Sequence, residues 1–390
     1  MKLKIKKNKI TKSHVASLFI QLFYFLYFIR MIIGTSSIYG ITTYVLMSLI
    51  GIGSFAYVVT TQKFHSKTKI IVFFFAFYLF GLVSSVYTSN YRVQDYLIIV
   101  QYFGIALLLF RYGTKFSINK FFFMFYVLYF GANMLAGIHP DNVFIGFSRN
   151  NIPVTLLIQS VLLYVSMFEN KKQIKIYPAL TVLLFSIWTI GRSGIFTSLL
   201  MLILIILYIQ FESEKKNLKI IYLSFLILIV YSVISVFFYE ELIEPALARL
   251  FRLGITDSHR RSIVVEYLNQ CKISFYALFF GVNINQNLLF SVYGYNLHNS
   301  YLRLHAYHGL LGFIMIFIFS FRSISKFFIH KYFLFFILSV ILLIRGVTDI
   351  VAFHGPFDPL LYYFIFKSFN IQPKLTKKTL KGVNNNVTSN

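Results

Sequence analysis

One histidine and a set of arginines are the residues of this chain best suited to chemistry. His298 stands in Asn296-Leu297-His298-Asn299-Ser300-Tyr301, a polar junction that runs into the apolar stretch from Leu302 to Gly312. An imidazole, with an ordinary pKa of about 6.5, takes a proton from a hydroxyl at neutral pH. Spacing alone leaves an ordinary helix-start hydrogen bond as an equal account of it. Arg192 lies in Gly191-Arg192-Ser193-Gly194, a very short turn between two apolar blocks. A guanidinium held that close to lipid is costly without a partner. Arg149 sits in Gly146-Phe147-Ser148-Arg149-Asn150-Asn151, ahead of Pro153, and Arg260 and Arg261 follow His259. One such arginine is explained by snorkelling to the interface. Several on one face match the oxygens of a phosphate bidentately and never lose their charge. A pyrophosphate at the membrane surface is the substrate such a cluster would suit.

Other chemistries lack their residues. There is no Walker A loop, no GxGxxG and no DxD motif. The single cysteine, Cys271, excludes an internal disulfide and a Cys-based zinc site. His305 and His308 have the i, i+3 spacing of a metal pair, but no carboxylate or cysteine lies near them in sequence. Neither a metal nor a cofactor is expected. Glu240, Glu241 and Glu244 read as solvated carboxylates at a helix exit. Asp349, His354 and Asp358 form a looser polar set, read as a packing or gating feature.

A membrane bundle must position these groups. Of the 390 residues, 58% are hydrophobic and 13% charged, with mean hydropathy +0.72; a soluble domain carries about 25% charge. The net charge of +25 is no nucleic-acid surface, because the basic residues sit in small groups between apolar blocks. Those blocks fall near 15–33, 38–61, 70–88, 95–110, 121–137, 152–168, 176–190, 194–210, 219–238, 301–321, 327–345 and 351–369. A span needs about 20 apolar residues, so the first block reads as an uncleaved helix rather than a signal peptide. With the N-terminus cytoplasmic, 26 of the 37 Lys and Arg fall in cytoplasmic segments. The abundant aromatics, 47 Phe and 28 Tyr, read mainly as lipid-facing and interfacial packing.

The expected fold is an all-α polytopic integral membrane protein with about twelve transmembrane helices. One membrane domain covers 1–370, and a basic, then Asn-rich tail over 371–390 is expected to be disordered. A long outward-facing loop, 239–300, joins the ninth and tenth spans, and loops of that length in a compact architecture are usually functional. Within it Arg260 to Phe280 reads as one amphipathic helix, with Ile263, Tyr267 and Cys271 on one face, capping the outer membrane surface.

Three segments resemble the bacterial O-antigen polymerase and ligase superfamily of the Wzy and WaaL type. Gly191-Arg192-Ser193-Gly194 is similar to its Ser-Arg-Ser-Gly turn. His259-Arg260-Arg261, with a helix finishing at Leu278-Phe279-Phe280-Gly281-Val282, is similar to its Arg-led loop helix. His298-Asn299-Ser300-Tyr301-Leu302 with Gly309-Leu310-Leu311-Gly312 is similar to its His-Asn-x-Tyr-Leu and Gly-Leu-x-Gly start of a span. The resemblance covers about residues 140–320. The chain departs from the pattern at Gly191, at Val264, Val265 or Tyr267, and at Asn283, where the family has Ser, Trp and Gly; which of Arg260 and Arg261 acts stays open.

The resemblance implies a GT-C-like fold and a metal-independent, inverting glycosyl transfer. The donor would be an undecaprenyl-pyrophosphate-linked oligosaccharide. His298, Arg192 and Arg261 would be catalytic, and Arg149, Arg260, Asn299, Tyr301 and Arg303 would bind pyrophosphate or sugar. The chain would sit in the bacterial inner membrane, both termini cytoplasmic and the site on the periplasmic or outer face. It would work beside a flippase and a chain-length regulator and build O-antigen or capsule. A ligase passing glycan to lipid A core is the alternative, and a lipid-linked oligosaccharide flippase the second. A flippase would carry charge inside its spans around a central cavity; here only Arg30 and Arg303 read as intramembrane.

Overall fold

The computed structural model describes residues 11–61, 66–91, 93–212, 258–292 and 294–371. The ninth apolar block, Glu240, Glu241 and Glu244, the side chains of Arg260 and Arg261, and the expected tail from 372 onward lie outside the described residues. The described chain is helical and, among the described residues, contains no strand. Eight helices run α1 Lys12–Ile33, α2 Ile38–Thr61, α3 Lys67–Thr88, α4 Val93–Tyr112, α5 Phe116–Leu135, α6 Asn151–Glu169, α7 Tyr177–Trp188 and α8 Arg192–Phe211. After the gap follow α9 Ser258–Ile273, α10 Phe275–Phe280, α11 Leu288–Val292, α12 Ser300–Ile329, α13 Phe333–Thr348 and α14 Asp358–Phe369.

Eight of these, α1 to α6, α8 and α12, are long and apolar enough to cross a membrane. Outward faces as apolar as these suit lipid. Leu128, Phe196, Phe211 and Phe321 are all more than half exposed there. Inside, α6 and α14 are buried along almost their whole length, with α1, α4, α5, α7, α8 and α13 around them.

Aromatic rings fill that interior, contrary to the expectation that they would mainly face lipid. Phe28 is met edge-on by Tyr126, Tyr129 and Phe130 at centroid separations of 4.9, 5.1 and 5.8 Å. Phe103 lies 4.2 Å from Tyr362. Lipid tails are as apolar as any side chain, so burial alone drives no association between spans. Shape-matched rings supply dispersion contact and favourable edge-to-face geometry instead.

Three boundaries differ from the sequence reading. The stretch 322–326, which the block pattern leaves as a connection between 301–321 and 327–345, is helix, because α12 continues to Ile329. Arg322 and Lys326 do not break a helix, and Lys326 donates to the carbonyls of Ser368 and Ile371 at the end of α14. The amphipathic helix expected over 260–280 is two helices. Ser274 is extended and its hydroxyl accepts from the Ala277 amide, which starts α10 afresh.

The last block is helical only from Asp358. Residues 351–357 form a buried irregular hairpin ahead of it, with Gly355, Pro356 and Pro359 interrupting the pattern. Non-helical backbone among membrane spans is tolerated only where protein satisfies its polar groups. Asp358 does this by accepting from the amides of Phe353, His354 and Gly355. Ser300 Oγ accepts from those of Val351 and Ala352, both at 3.0 Å.

Candidate functional site

The polar turns singled out in the sequence gather at one end of the helices. Arg192 is the first residue of α8, and Arg149 closes the turn before α6. These two turns touch. A Cβ added at Gly191 would lie 2.7 Å from Asn150 Oδ1, and one at Gly194 would pack on Pro153. Arg149 pairs with Asp141 at 3.5 Å. Asp141 is half exposed, so this pair is screened and its carboxylate can give way to another anion.

The strongest tie is one that sequence reading missed. Arg345, near the end of α13, is 1% exposed. Its guanidinium donates to Ser193 Oγ at 2.8 Å and Thr348 Oγ1 at 3.0 Å, and it pairs with Asp349 at 3.2 Å. The carbonyl of Asp349 in turn accepts from Ser300 Oγ at 2.6 Å. Ser193 follows Arg192 and Ser300 lies two residues after His298, so one chain of hydrogen bonds through the buried Arg345 joins the arginine turn to the histidine turn. The signal was in the sequence: an arginine inside an apolar stretch with an aspartate at i+4. Only the burial that makes it costly, and therefore informative, was missing.

His298 has φ +49°, left-handed backbone that few non-glycine residues adopt. Its amide donates to Asn296 Oδ1 at 2.8 Å, and the next residue, Asn299, caps α12 by accepting from the amides of Tyr301 and Leu302. The imidazole is therefore held on a turn closed by one asparagine on each side. Tyr301 donates to the Leu343 carbonyl at 3.0 Å, fixing α12 against α13. Arg303 lies over the Tyr307 ring, 5.5 Å from its centroid. It lines a cleft of about 350 Å³ together with Asn90, Gln94, Asp95, Tyr295 and Asn296. Arg260 and Arg261 occupy the first turn of α9.

The expected cap docks through a core of its own, in which Ile263 and Tyr267 of α9 meet Val282, Phe290 and Leu297. Asn90 clamps it: its amide donates to the carbonyls of Val282 and Ala306, and its Oδ1 accepts from the Ile284 amide at 3.0 Å. On the exposed side Glu266 accepts from Gln270 and Asn287, both at 2.9 Å. These two donors favour its charged form and hold its carboxyl below the usual range.

His305 and His308 turn to separate partners. His305 accepts from Tyr267 and donates to the Leu278 carbonyl, whereas His308 donates to the Phe77 carbonyl and meets Tyr91 and His354. Among the described residues no group of three or more His, Cys, Asp or Glu side chains is placed to hold a metal ion. Of Asp349, His354 and Asp358, the last two stay together, since Asp358 accepts from the His354 amide while the His354 ring meets His308 and Tyr91; Asp349 serves Arg345 instead. Basic residues cluster at the opposite ends of the helices, where Glu169 accepts from Lys367 at 3.0 Å and from the Thr114 amide at 3.1 Å. Compared with protein-family models and with curated proteins, the chain matches none.

Proposed function

We propose that this protein is a membrane glycan polymerase that joins undecaprenyl-pyrophosphate-linked repeat units into O-antigen or capsular polysaccharide. The observation that carries the reading is the link from Ser193 through the buried Arg345 and then Asp349 to Ser300. It ties the turn that carries Arg192 to the turn that carries His298 at one end of the bundle, which supports reading the first as the phosphate-matching side chain and the second as the proton acceptor.

In this reading the acceptor sugar's hydroxyl attacks the anomeric carbon of the donor glycan from the face opposite the leaving group. The anomeric C–O bond breaks, its electron pair leaves with the lipid pyrophosphate, and configuration inverts. Arg192 and Arg149 hold the growing charge on that pyrophosphate, a stabilisation worth most in a site that excludes water. Arg260 or Arg261, in the first turn of the cap, adds to it. His298 takes the hydroxyl proton as the new bond forms. The cap over the site keeps water from hydrolysing the donor. The reading carries with it about twelve crossings of the bacterial inner membrane, cytoplasmic termini, an outward-facing site, and a flippase and chain-length regulator as companions.

The test is made in the host strain. Arg192→Ala and His298→Ala each abolish long-chain glycan at normal protein level, while Lys172→Ala at the other end of the bundle leaves the ladder unchanged. Deleting the gene leaves core plus a single repeat. Bare core with lipid-linked polymer would instead assign a ligase, and neither repeat nor polymer a flippase. Wild-type ladders from either site variant overturn the assignment of the site.

A further inference from the structure

The cleft beside His298 has a character the arginine turns lack. Its walls come from three elements: Gln94 and Asp95 at the start of α4, Asn285 in the cap, and Tyr295, Asn296 and Arg303 around the histidine turn. Its volume, about 350 Å³, falls within the roughly 300–1,000 Å³ of small-molecule sites. The lining favours a ligand with many hydrogen-bonding groups and no net charge. Asp95 opposes an anion, Arg303 opposes a cation, and the amides would lose their hydrogen bonds to a purely apolar guest. A neutral molecule rich in hydroxyls suits this mixed lining, with the Tyr295 ring, 44% exposed, as an apolar platform for one of its faces.

A second observation points the same way. His354, whose side chain is 1% exposed, stands behind the cleft wall, with its Nδ1 turned toward Asp95 of the lining. The two atoms, Nδ1 and Asp95 Oδ1, are 3.9 Å apart, so the imidazole backs the Asp95 carboxylate and holds it at the cleft wall, where a ligand hydroxyl can donate to it. Position assigns the role. Asp349 faces Arg345 and the arginine turn, while its neighbour Ile350 lines the cleft, and Asn296 bonds the His298 amide. The phosphate-matching turn and the cleft thus flank the 349–350 backbone and the histidine turn. In an inverting transfer the nucleophile and the leaving group stand on opposite sides of the reacting carbon.

We infer that this cleft is the acceptor subsite, holding a glycosyl unit by hydrogen bonds from adjacent hydroxyls to Asp95, Gln94 and Asn285 over the Tyr295 ring. The inference rests on the glycosyl-transfer reading and gives the binding of acceptor sugar to residues outside the resembling segments. Both sugars of such a reaction carry the same hydroxyl chemistry, so the test separates the acceptor from the donor's lipid.

Full-length protein in nanodiscs is titrated with two probes: the lipid-free repeat oligosaccharide released from the host's own surface glycan, and sugar-free polyprenyl pyrophosphate. Gln94→Ala and Asp95→Asn weaken the oligosaccharide about tenfold or more and leave the lipid within twofold of wild type. Arg192→Ala does the reverse. Gln94 is exposed, so its variant retains the fold even if Asp95→Asn does not. Unchanged oligosaccharide affinity in Gln94→Ala overturns the subsite, as does a wild type that binds no oligosaccharide or one whose oligosaccharide the sugar-free lipid displaces. Failure of the polymerase reading shows separately, as long-chain glycan persisting in the Arg192 and His298 variants.

Discussion

Arg345 and His298 hold the site in different ways, and their substitutions are expected to fail differently. Removing one member of a buried ion pair costs about 3–5 kcal/mol, because the other is left charged and unpaired. Arg345→Ala strands the Asp349 carboxylate and frees Ser193, so less protein folds and its thermal unfolding in detergent moves down. Adding Asp349→Ala recovers part of that loss without restoring glycan; a double variant as unstable as the single one would show the pair is not coupled. At His298 the backbone is already strained, at about 1–2 kcal/mol for a non-glycine residue in this region. His298→Gly relieves the strain, so it unfolds at or above the wild-type temperature yet makes no polymer. Polymer at wild-type chain length from His298→Gly would remove the imidazole from the chemistry. A helix-start hydrogen bond at this junction was legible from its place before an apolar run, but it was weighed for His298 and Asn299 makes it. The left-handed turn beside it was not, because single-residue backbone strain leaves no mark on periodicity.

Between elements, the cap and α12 approach so closely that two glycines are required. Gly309 has φ +63°, which kinks α12, and a Cβ there would run into the Phe279 carbonyl at the end of α10. Gly281, with φ +101°, presses in turn on the carbonyls of His305 and Ala306. Gly309→Ala meets both left-handed strain and a backbone clash, so it undocks α10. Faster amide exchange over 275–284, with α1 and α6 unchanged, is the expected reading; unchanged exchange there would mean that the kink is dispensable. The glycines themselves were visible in the sequence as a spacing, but their reason was not. It lies in the facing helix, α10 for Gly309 and α12 for Gly281, and in Asn90, which bonds Val282 and Ala306 across that contact and which nothing local distinguishes from any loop asparagine.

At the scale of the whole chain, apolar block length located most of the helices, because lipid imposes the same requirement on every span. Interior packing was illegible for a related reason. When both faces of a helix are apolar, composition does not distinguish Phe28 in the core from Phe321 on the surface. The hairpin 351–357 escaped notice because its polar backbone is satisfied by Asp358 and Ser300, partners that only the fold supplies. Sidedness follows from α6. Ser148 stands just before its first residue and Lys172 just beyond its last, both exposed. If α6 crosses the bilayer with its N-terminal end outward, the two positions meet different solutions. In a Cys271→Ser background, an impermeant maleimide is expected to label Ser148→Cys in intact spheroplasts, and Lys172→Cys only after permeabilisation. The reverse pattern would put Arg192, Arg345 and His298 on the cytoplasmic face, where an outward-facing donor could not reach them. Labelling of both from one side would mean that the most buried long helix of the bundle does not span the membrane.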